Sequence, residues 1–411
     1  MIKAALISVG NELLKGLVVD TNAAFLARQL WSMGIVPRYH RTVGDVVEDI
    51  LSAMEQAVTD ADVVIATGGL GPTADDLTRH AIARLLGVEL ELRPELLDQI
   101  KARLAKVGRQ MSALDQIQAC MPMGTQALTN DLGTAAGILC RKGHCLIVAL
   151  PGVPAEMERI FSSSVQPILG QMTGRGHVVV RRLHCFGQPE SAIAEVLGSM
   201  MDRGRNPSVD CTASYGQVTI YITAWGQDMG LAEQLVGGDE AVIRSRLGRT
   251  IFGVDEQTLP GVVGHGLCQA GKTLAVAESC TGGLLSKILT DQPGSSRYLL
   301  GGFVVYSNRA KSLELGVDQA LLAEHGAISP QVAQAMASAA RAKLGCDYAI
   351  SITGVAGPDQ LEDKPVGMVF VGLDGPEGPQ VQCLRLSGDR CSIRMRAALT
   401  ALNLLRLRLG L

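Results

Sequence analysis

Apolar and polar positions along the chain repeat as a unit. From residue 3 to about 170, a short apolar run leads into a Gly- or Pro-rich turn and then a helix-period segment. Ala4 to Val9 runs into Gly10-Asn11-Glu12, Val63 to Thr67 into Gly68-Gly69-Leu70-Gly71-Pro72, and Leu146 to Leu150 into Pro151-Gly152-Val153-Pro154. Near-continuous apolar strands are what a sheet covered on both faces requires. Asp76 to Leu86 carries Leu77, Ala81, Ile82, Leu85 and Leu86 on one stripe, with Gly87 placed to end a helix. The pattern predicts a doubly wound α/β domain that binds ligands at the carboxyl ends of its strands, where all three turns lie.

Residues 176–253 read differently. A strand near Val178 to Cys185, a helix from Pro189 to Met201, and period-two alternation over Asp210 to Thr212 and Gln217 to Trp225 predict a small α+β module. Gly226 to Gly238 is polar and glycine-bearing and reads as a loop or domain edge. From 256 to 411 the βα alternation returns. Leu274 to Ala277 precedes Glu278-Ser279-Cys280-Thr281-Gly282-Gly283, and Gly302 to Tyr306 precedes Ser307 and a helix through Lys311. Ser329-Pro330 opens a helix to Leu344, and Asp347 to Ile352 runs into Thr353-Gly354. A hairpin, Val366 to Leu373 with Val381 to Leu386, and a closing helix from Asp389 complete a second α/β domain.

Composition narrows the function classes. A length of 411 residues suits two to three domains, and 47% hydrophobic against 19% charged residues makes the chain globular. Lys+Arg 37 against Asp+Glu 40 leaves a net charge of -3, with no footprint for a phosphate backbone, so direct nucleic-acid contact is not expected. Forty-seven glycines beside 3% aromatics suit tight turns around phosphates better than base stacking. Ten cysteines include no C-x-x-C pair, which removes zinc ribbons and redox dithiols and fits a reducing cytoplasm. The first apolar run is broken by Asn11 and Glu12, unlike a signal peptide, and no apolar stretch reaches ~18 residues. A soluble cytoplasmic protein without membrane contact is expected.

Two turns carry candidate chemistry. Gly68, Gly69, Gly71 and Thr73 follow a buried strand and open a helix, an arrangement that cradles an anion on backbone N–H groups. Asp75 and Asp76 there are either Mg²⁺ ligands or caps of the tight turn, and Asp45 and Glu12, also past strand ends, either complete such a site or cap locally. The turn is neither a Walker A loop nor G-x-G-x-x-G. In the second α/β domain Ser279 sits where a strand turns into a helix opening with Thr281-Gly282-Gly283, the placement of a nucleophile beside N–H donors, or of a simple cap. No histidine lies near these turns in sequence. Tyr306, Lys311 and Arg390 do, which points to lysine-assisted serine chemistry, with Cys280 as rival nucleophile. As a base, Lys311 must lose ~3 units from its ordinary ~10.4, through burial or a nearby cation such as Arg390; otherwise it stays charged and positions substrate, while Tyr306 or a water relays the proton.

These motifs resemble the CinA (competence/damage-inducible) family over essentially the whole chain. They are Gly10 to Gly16, Asp20-Thr21-Asn22, Thr67 to Thr78, Gly133-Thr134 and Leu150 to Met157, then Ala277 to Gly283, Tyr306-Ser307-Asn308 with Lys311, Gly326 to Ser329, Thr353 to Pro358 and Lys364 to Gly367. The resemblance implies a molybdopterin-binding (MogA/MoaB-like) three-layer αβα domain over 1–172, a KH-like module over 176–253 and a CinA C-terminal domain over 256–411. It implies that the last domain deamidates nicotinamide mononucleotide through Ser279, Tyr306, Lys311, Thr353 and Arg390 without a cofactor, with Thr281, Gly282 and Gly283 binding substrate. The first domain is expected to cleave ADP-ribose to AMP and ribose 5-phosphate with a divalent metal (Co, Mg or Mn) on Asp45, Asp75 and Asp76. A homodimer is expected. The other reading is a non-catalytic pterin- or nucleotide-binding protein of competence or the DNA-damage response. The chain departs from the family pattern at Asn11, at Ala136 in Gly133-Thr134-Ala135-Ala136-Gly137, and at Asp359-Gln360-Leu361, where Asp-Gly-Gly is usual.

Overall fold

The computed structural model describes residues 2–173 and 177–411, so the expected border between 172 and 176 falls partly outside the described residues. The first domain carries strands β1 (Lys3–Val9), β2 (Val36–Val43), β3 (Val63–Thr67), β4 (Leu90–Leu92), β5 (Cys120–Pro122), β6 (Gln126–Leu128), β7 (Gly137–Lys142) and β8 (Cys145–Leu150). Six form one sheet in the order β2-β1-β3-β8-β7-β6, and β4 pairs with β5. Strands β1, β2, β3 and β8 run parallel, while β7 and β6 are antiparallel additions.

Side chains of β1 alternate between two cores. Ala5, Ile7 and Val9 pack with Ile50, Met54, Ile82 and Leu85 on one face. Ala4 and Leu6 pack with Leu26, Leu30, Met157 and Phe161 on the other. Helices therefore cover both faces, which gives the three αβα layers. The helix anticipated from Asp76 begins at Thr78 and ends at Gly87 in the left-handed conformation. Its start moves two residues on because the Asp76 side chain is taken up by the preceding loop.

The middle module adds β9 (His177–Phe186), β10 (Ser208–Ser214), β11 (Gln217–Gly226) and β12 (Ile251–Val254), in the order β10-β11-β9-β12. Gly226 to Gly238 does not form the anticipated loop. A helix spans Met229–Leu247 through Gly237 and Gly238. Its buried Ala232, Val236 and Ile243 recur at helical spacing, and that burial outweighs the weak propensity of two glycines. By packing, the chain forms two compact units, 1–179 with 224–234 and 180–223 with 235–411.

The last domain contributes β13 (Leu274–Glu278), β14 (Leu299–Val304), β15 (Tyr348–Gly354), β16 (Met368–Asp374) and β17 (Gln380–Arg385), in the order β14-β13-β15-β16-β17. Strands β14, β13 and β15 are parallel; β16 and β17 are antiparallel. Leu274 and Val276 of β13 face a core with helices Leu259–Ala270 and Arg390–Arg408, whereas Ala275 and Ala277 face Val332, Met336 and Ala340 of Pro330–Leu344. Among the described residues no helix is long and apolar enough to cross a membrane.

Candidate active site

The strand order of the last domain assembles the site. Because β14, β13 and β15 are parallel neighbours, their carboxyl ends set Tyr306, Ser279 and Thr353 along one rim. The helix Asn308–Leu315, capped by the Ser307 hydroxyl on Ala310 N–H at 3.1 Å, brings Lys311 under that rim. The closing helix, capped by Asp389, brings Arg390 as its first residue. Ser279, Tyr306, Lys311, Thr353 and Arg390 all line one cleft of about 170 Å³, joined by Asn308, Asp359 and Glu362.

Within it the Lys311 Nζ lies 3.0 Å from Ser279 Oγ and 3.2 Å from the Val305 carbonyl oxygen. Lys311 is 1% exposed and no carboxylate lies within ion-pair distance of it among the described residues. Loss of water pushes its pKa down from 10.5, against smaller upward pulls from Cys280 and Glu362. A lowered pKa is what the base of a Ser-Lys pair requires. Cys280, also in the cleft wall, goes the opposite way: burial pushes its thiol up to about 12, so the nearby helix start does not make it a thiolate.

Tyr306 is 59% exposed, and its hydroxyl accepts from Arg390 Nη2 at 2.8 Å. Its own proton is thereby left to donate into the cleft. Arg390 also donates to the Gly357 carbonyl. Thr353 is buried, and its hydroxyl donates to the Ala327 oxygen at 2.8 Å, which makes it a fastening of the cleft wall.

The expected substrate-binding residues Thr281, Gly282 and Gly283 stand beside the cleft and not in its lining: Thr281 is fully buried, Gly282 is exposed and Gly283 is half-buried. The helix begins only at Leu284. Gly282 N–H donates to Ser279 O at 3.0 Å. Leu285 and Ser286 N–H donate to the Glu278 carboxylate at 2.9 and 2.7 Å, so the helix start is already capped. Sequence reasoning passed over Glu278, although an acid closing an otherwise apolar strand was a visible signal. It also passed over Glu362, whose carboxylate accepts from Ala327 and Ile328 N–H at 3.1 Å each. The atypical loop after Pro358 sets Glu362 and Asp363 at φ 52° and 55°.

In the first domain the turns after β1, β3 and β8 are adjacent, as expected. Gly68 is left-handed at φ 96°, and a Cβ there would lie 2.2 Å from the Val9 oxygen, so this close approach requires glycine. Gly69 is left-handed too, and the exposed Thr73 closes the loop with Asp76. The expected metal set does not converge. Asp76 spends its carboxylate on Gly71 N–H, Thr73 N–H and the Thr73 hydroxyl, each at 2.7 Å. Asp45 accepts from Asn11 N–H at 3.0 Å, and Asp75 is exposed. Among the described residues no group of three or more His, Cys, Asp or Glu side chains is placed to hold a metal ion. Buried Arg79 reinforces the same turn, donating to the Leu70 and Gly71 carbonyls at 2.5 and 3.2 Å.

Fold and site define a three-domain α/β protein with a buried serine–lysine pair at the strand ends of its last domain. Residues 5–171 match a probable molybdopterin binding domain, 180–253 a damage-inducible protein CinA KH domain, and 256–409 a CinA C-terminal domain. The chain is 44% identical to a CinA-like protein of Frankia casuarinae, over 98% of this chain and 95% of that one. It is 41% identical to a putative competence-damage inducible protein of Symbiobacterium thermophilum, over 98% of each. A solved structure of the protein CinA with unknown function from Thermoplasma acidophilum shares 35% identity over 40% of this chain and 98% of that chain, with a TM-score of 0.38. The chain belongs to the CinA family.

Proposed function

We propose that the last domain is a serine–lysine amidohydrolase that converts nicotinamide mononucleotide to nicotinate mononucleotide and ammonia. The observation that carries the reading is the 3.0 Å approach to Ser279 Oγ of a buried Lys311 amine that has no carboxylate in ion-pair distance among the described residues. Neutral Lys311 accepts the hydroxyl proton as Ser279 Oγ bonds to the carboxamide carbon. The C–N bond then breaks, ammonia leaves with a proton relayed through Tyr306 or Lys311, and an acyl-serine remains. Water, deprotonated by Lys311, attacks the ester carbon, the acyl–Oγ bond breaks, and Ser279 Oγ takes the proton back from Lys311 as the carboxylate leaves. Arg390 holds Tyr306 in place and supplies a cation for the developing oxyanion or the phosphate. The purified chain incubated with nicotinamide mononucleotide should release ammonia and nicotinate mononucleotide in equal amounts. Absence of ammonia release would overturn the reading.

For the first domain we infer a phosphate-bearing ligand at the Gly68–Thr73 turn, with ADP-ribose as the candidate substrate. The non-catalytic alternative is favoured by one observation, that Asp76 and Asp45 already satisfy backbone donors. The residues present do not fit a resident metal, and no step is derived through one. Incubation with ADP-ribose, with divalent cation and then with chelator, separates the two. AMP formed only with cation supports hydrolysis; binding without turnover supports the binder.

A further inference from the structure

We propose that Glu278 and Arg394 are positioning residues that hold the Ser279 turn from two sides. This rests on the amidohydrolase reading of the same site. Glu278 closes β13 and is 0% exposed. A carboxylate removed from water needs partners. It takes Leu285 N–H at 2.9 Å, Ser286 N–H at 2.7 Å and the Ser286 hydroxyl at 2.6 Å, and no cation pairs with it among the described residues. A helix is ordinarily capped by the residue beside its first turn. Here that position is Gly283, whose side chain offers nothing, and the cap comes from across the turn. One buried side chain therefore pins both the strand end before Ser279 and the helix start after it.

Arg394 grips the outer side, with Nε and Nη2 on the Thr281 carbonyl, at 3.2 Å for the former. Between the two anchors, Ser279 N–H donates to Ile352 O at 2.9 Å and Ser279 O accepts from Gly282. Gly282 and Gly283, at φ 58° and 91°, allow the reversal. Lys311 Nζ is fixed independently by the Val305 carbonyl, so the 3.0 Å contact to Ser279 Oγ depends on the turn staying in place. Neither Glu278 nor Arg394 lines the cleft.

Glu278→Gln keeps the shape but replaces one acceptor oxygen with a donor, leaving one helix N–H unmatched. Displacement of the turn by about 1 Å should lower kcat about 10²-fold, with KM and the pH dependence set by Lys311 unchanged. Hydrogen exchange should quicken at residues 280–286 and nowhere else in the domain. Arg394→Lys should recover part of the kcat lost in Arg394→Met. Wild-type kcat in Glu278→Gln, or unaltered exchange at 280–286, overturns the proposal. If Glu278→Gln does not fold, the Arg394 pair decides: equal kcat in Lys and Met variants overturns it. If the wild-type chain releases no ammonia, the amidohydrolase reading fails, and local exchange in Glu278→Gln alone decides the brace.

Discussion

In the first domain β1, β3 and β8 end side by side at glycine-bearing turns, and in the last domain β14, β13 and β15 also end side by side, with glycines in the turns after β13 and β15. Polar side chains past those ends have different fates. In the first domain Asp45 and Asp76 turn back onto backbone N–H groups of their own rim. In the last, that closing work is done by Glu278, Glu362 and Thr353, which leaves the Ser279 hydroxyl with a lysine amine as its neighbour. The difference lies in which side chains fasten the turn: where others do so, the hydroxyl past the strand end is left free of that task.

The largest expected effect is at the serine. Ser279→Ala should lower ammonia release by at least about 10⁴-fold, the scale of losing a nucleophile, whereas Cys280→Ala should keep most of it. The thiol at about 12 supplies almost no thiolate near neutrality. Covalent labelling of Cys280 by substrate in Ser279→Ala would move the nucleophile and break the contrast. Next is Lys311, where replacement by Met should cost about 10²- to 10⁴-fold through loss of the base. Because burial lowers the pKa of Lys311, wild-type kcat/KM should rise with pH through a limb below 10.5 and then level off. Activity that falls over that range would show the charged amine to be the working form.

Much of both domains was legible because buried parallel strands write themselves as unbroken apolar runs such as Val63 to Ala66 and Leu274 to Ala277. Ser279, Tyr306 and Lys311 were legible as polar residues placed just past such runs. Less legible was whether a polar atom there is free or spent. Asp76 and Thr353 look like site residues in sequence, yet their partners, Gly71 and Ala327, are fixed only by how the turns fold. Glu278 was visible as an acid closing an apolar strand, but its role was not, since its partners lie seven and eight residues on, in a helix that starts later than its glycines suggest. The helix Met229–Leu247 was obscured by Gly237 and Gly238, whose cost is met by burial on the far stripe.

A smaller effect separates the two acids of the first turn. Asp76→Asn leaves a Gly71, Thr73 or hydroxyl donor without its acceptor and should cost about 1 to 3 kcal/mol in denaturant unfolding. Asp75→Asn, at an exposed position, should stay within about 0.5 kcal/mol. Should the chain turn over ADP-ribose and Asp75→Asn abolish that turnover while unfolding like wild type, the acid acts on ligand, and the contrast between the two rims fails.

The smallest effect tests the opposite ends of the same strands. Asp62 precedes β3 and accepts Lys3 N–H of the neighbouring β1 at 2.8 Å. Asp347 precedes β15 in the equivalent place beside β13, but takes three donors at 2.9 Å: Lys272 Nζ, Thr273 N–H and the Thr273 hydroxyl. The Lys272 ammonium first, then the Thr273 donors, hold the Asp347 carboxyl at about 2, below its ordinary 3.8. An acid with a depressed pKa contributes stability that is complete above its unfolded value and is lost as pH falls from 3.8 to about 2. The pair is partly solvated, so the contribution is about 1 kcal/mol. Asp347→Asn should therefore lower unfolding stability by that amount near neutrality, and the gap to wild type should close as pH falls to about 2. Asp62→Asn should cost less, since one N–H is at stake. A gap that persists unchanged at the acid end would mean that Asp347 acts through shape and hydrogen-bond count, and not through its charge.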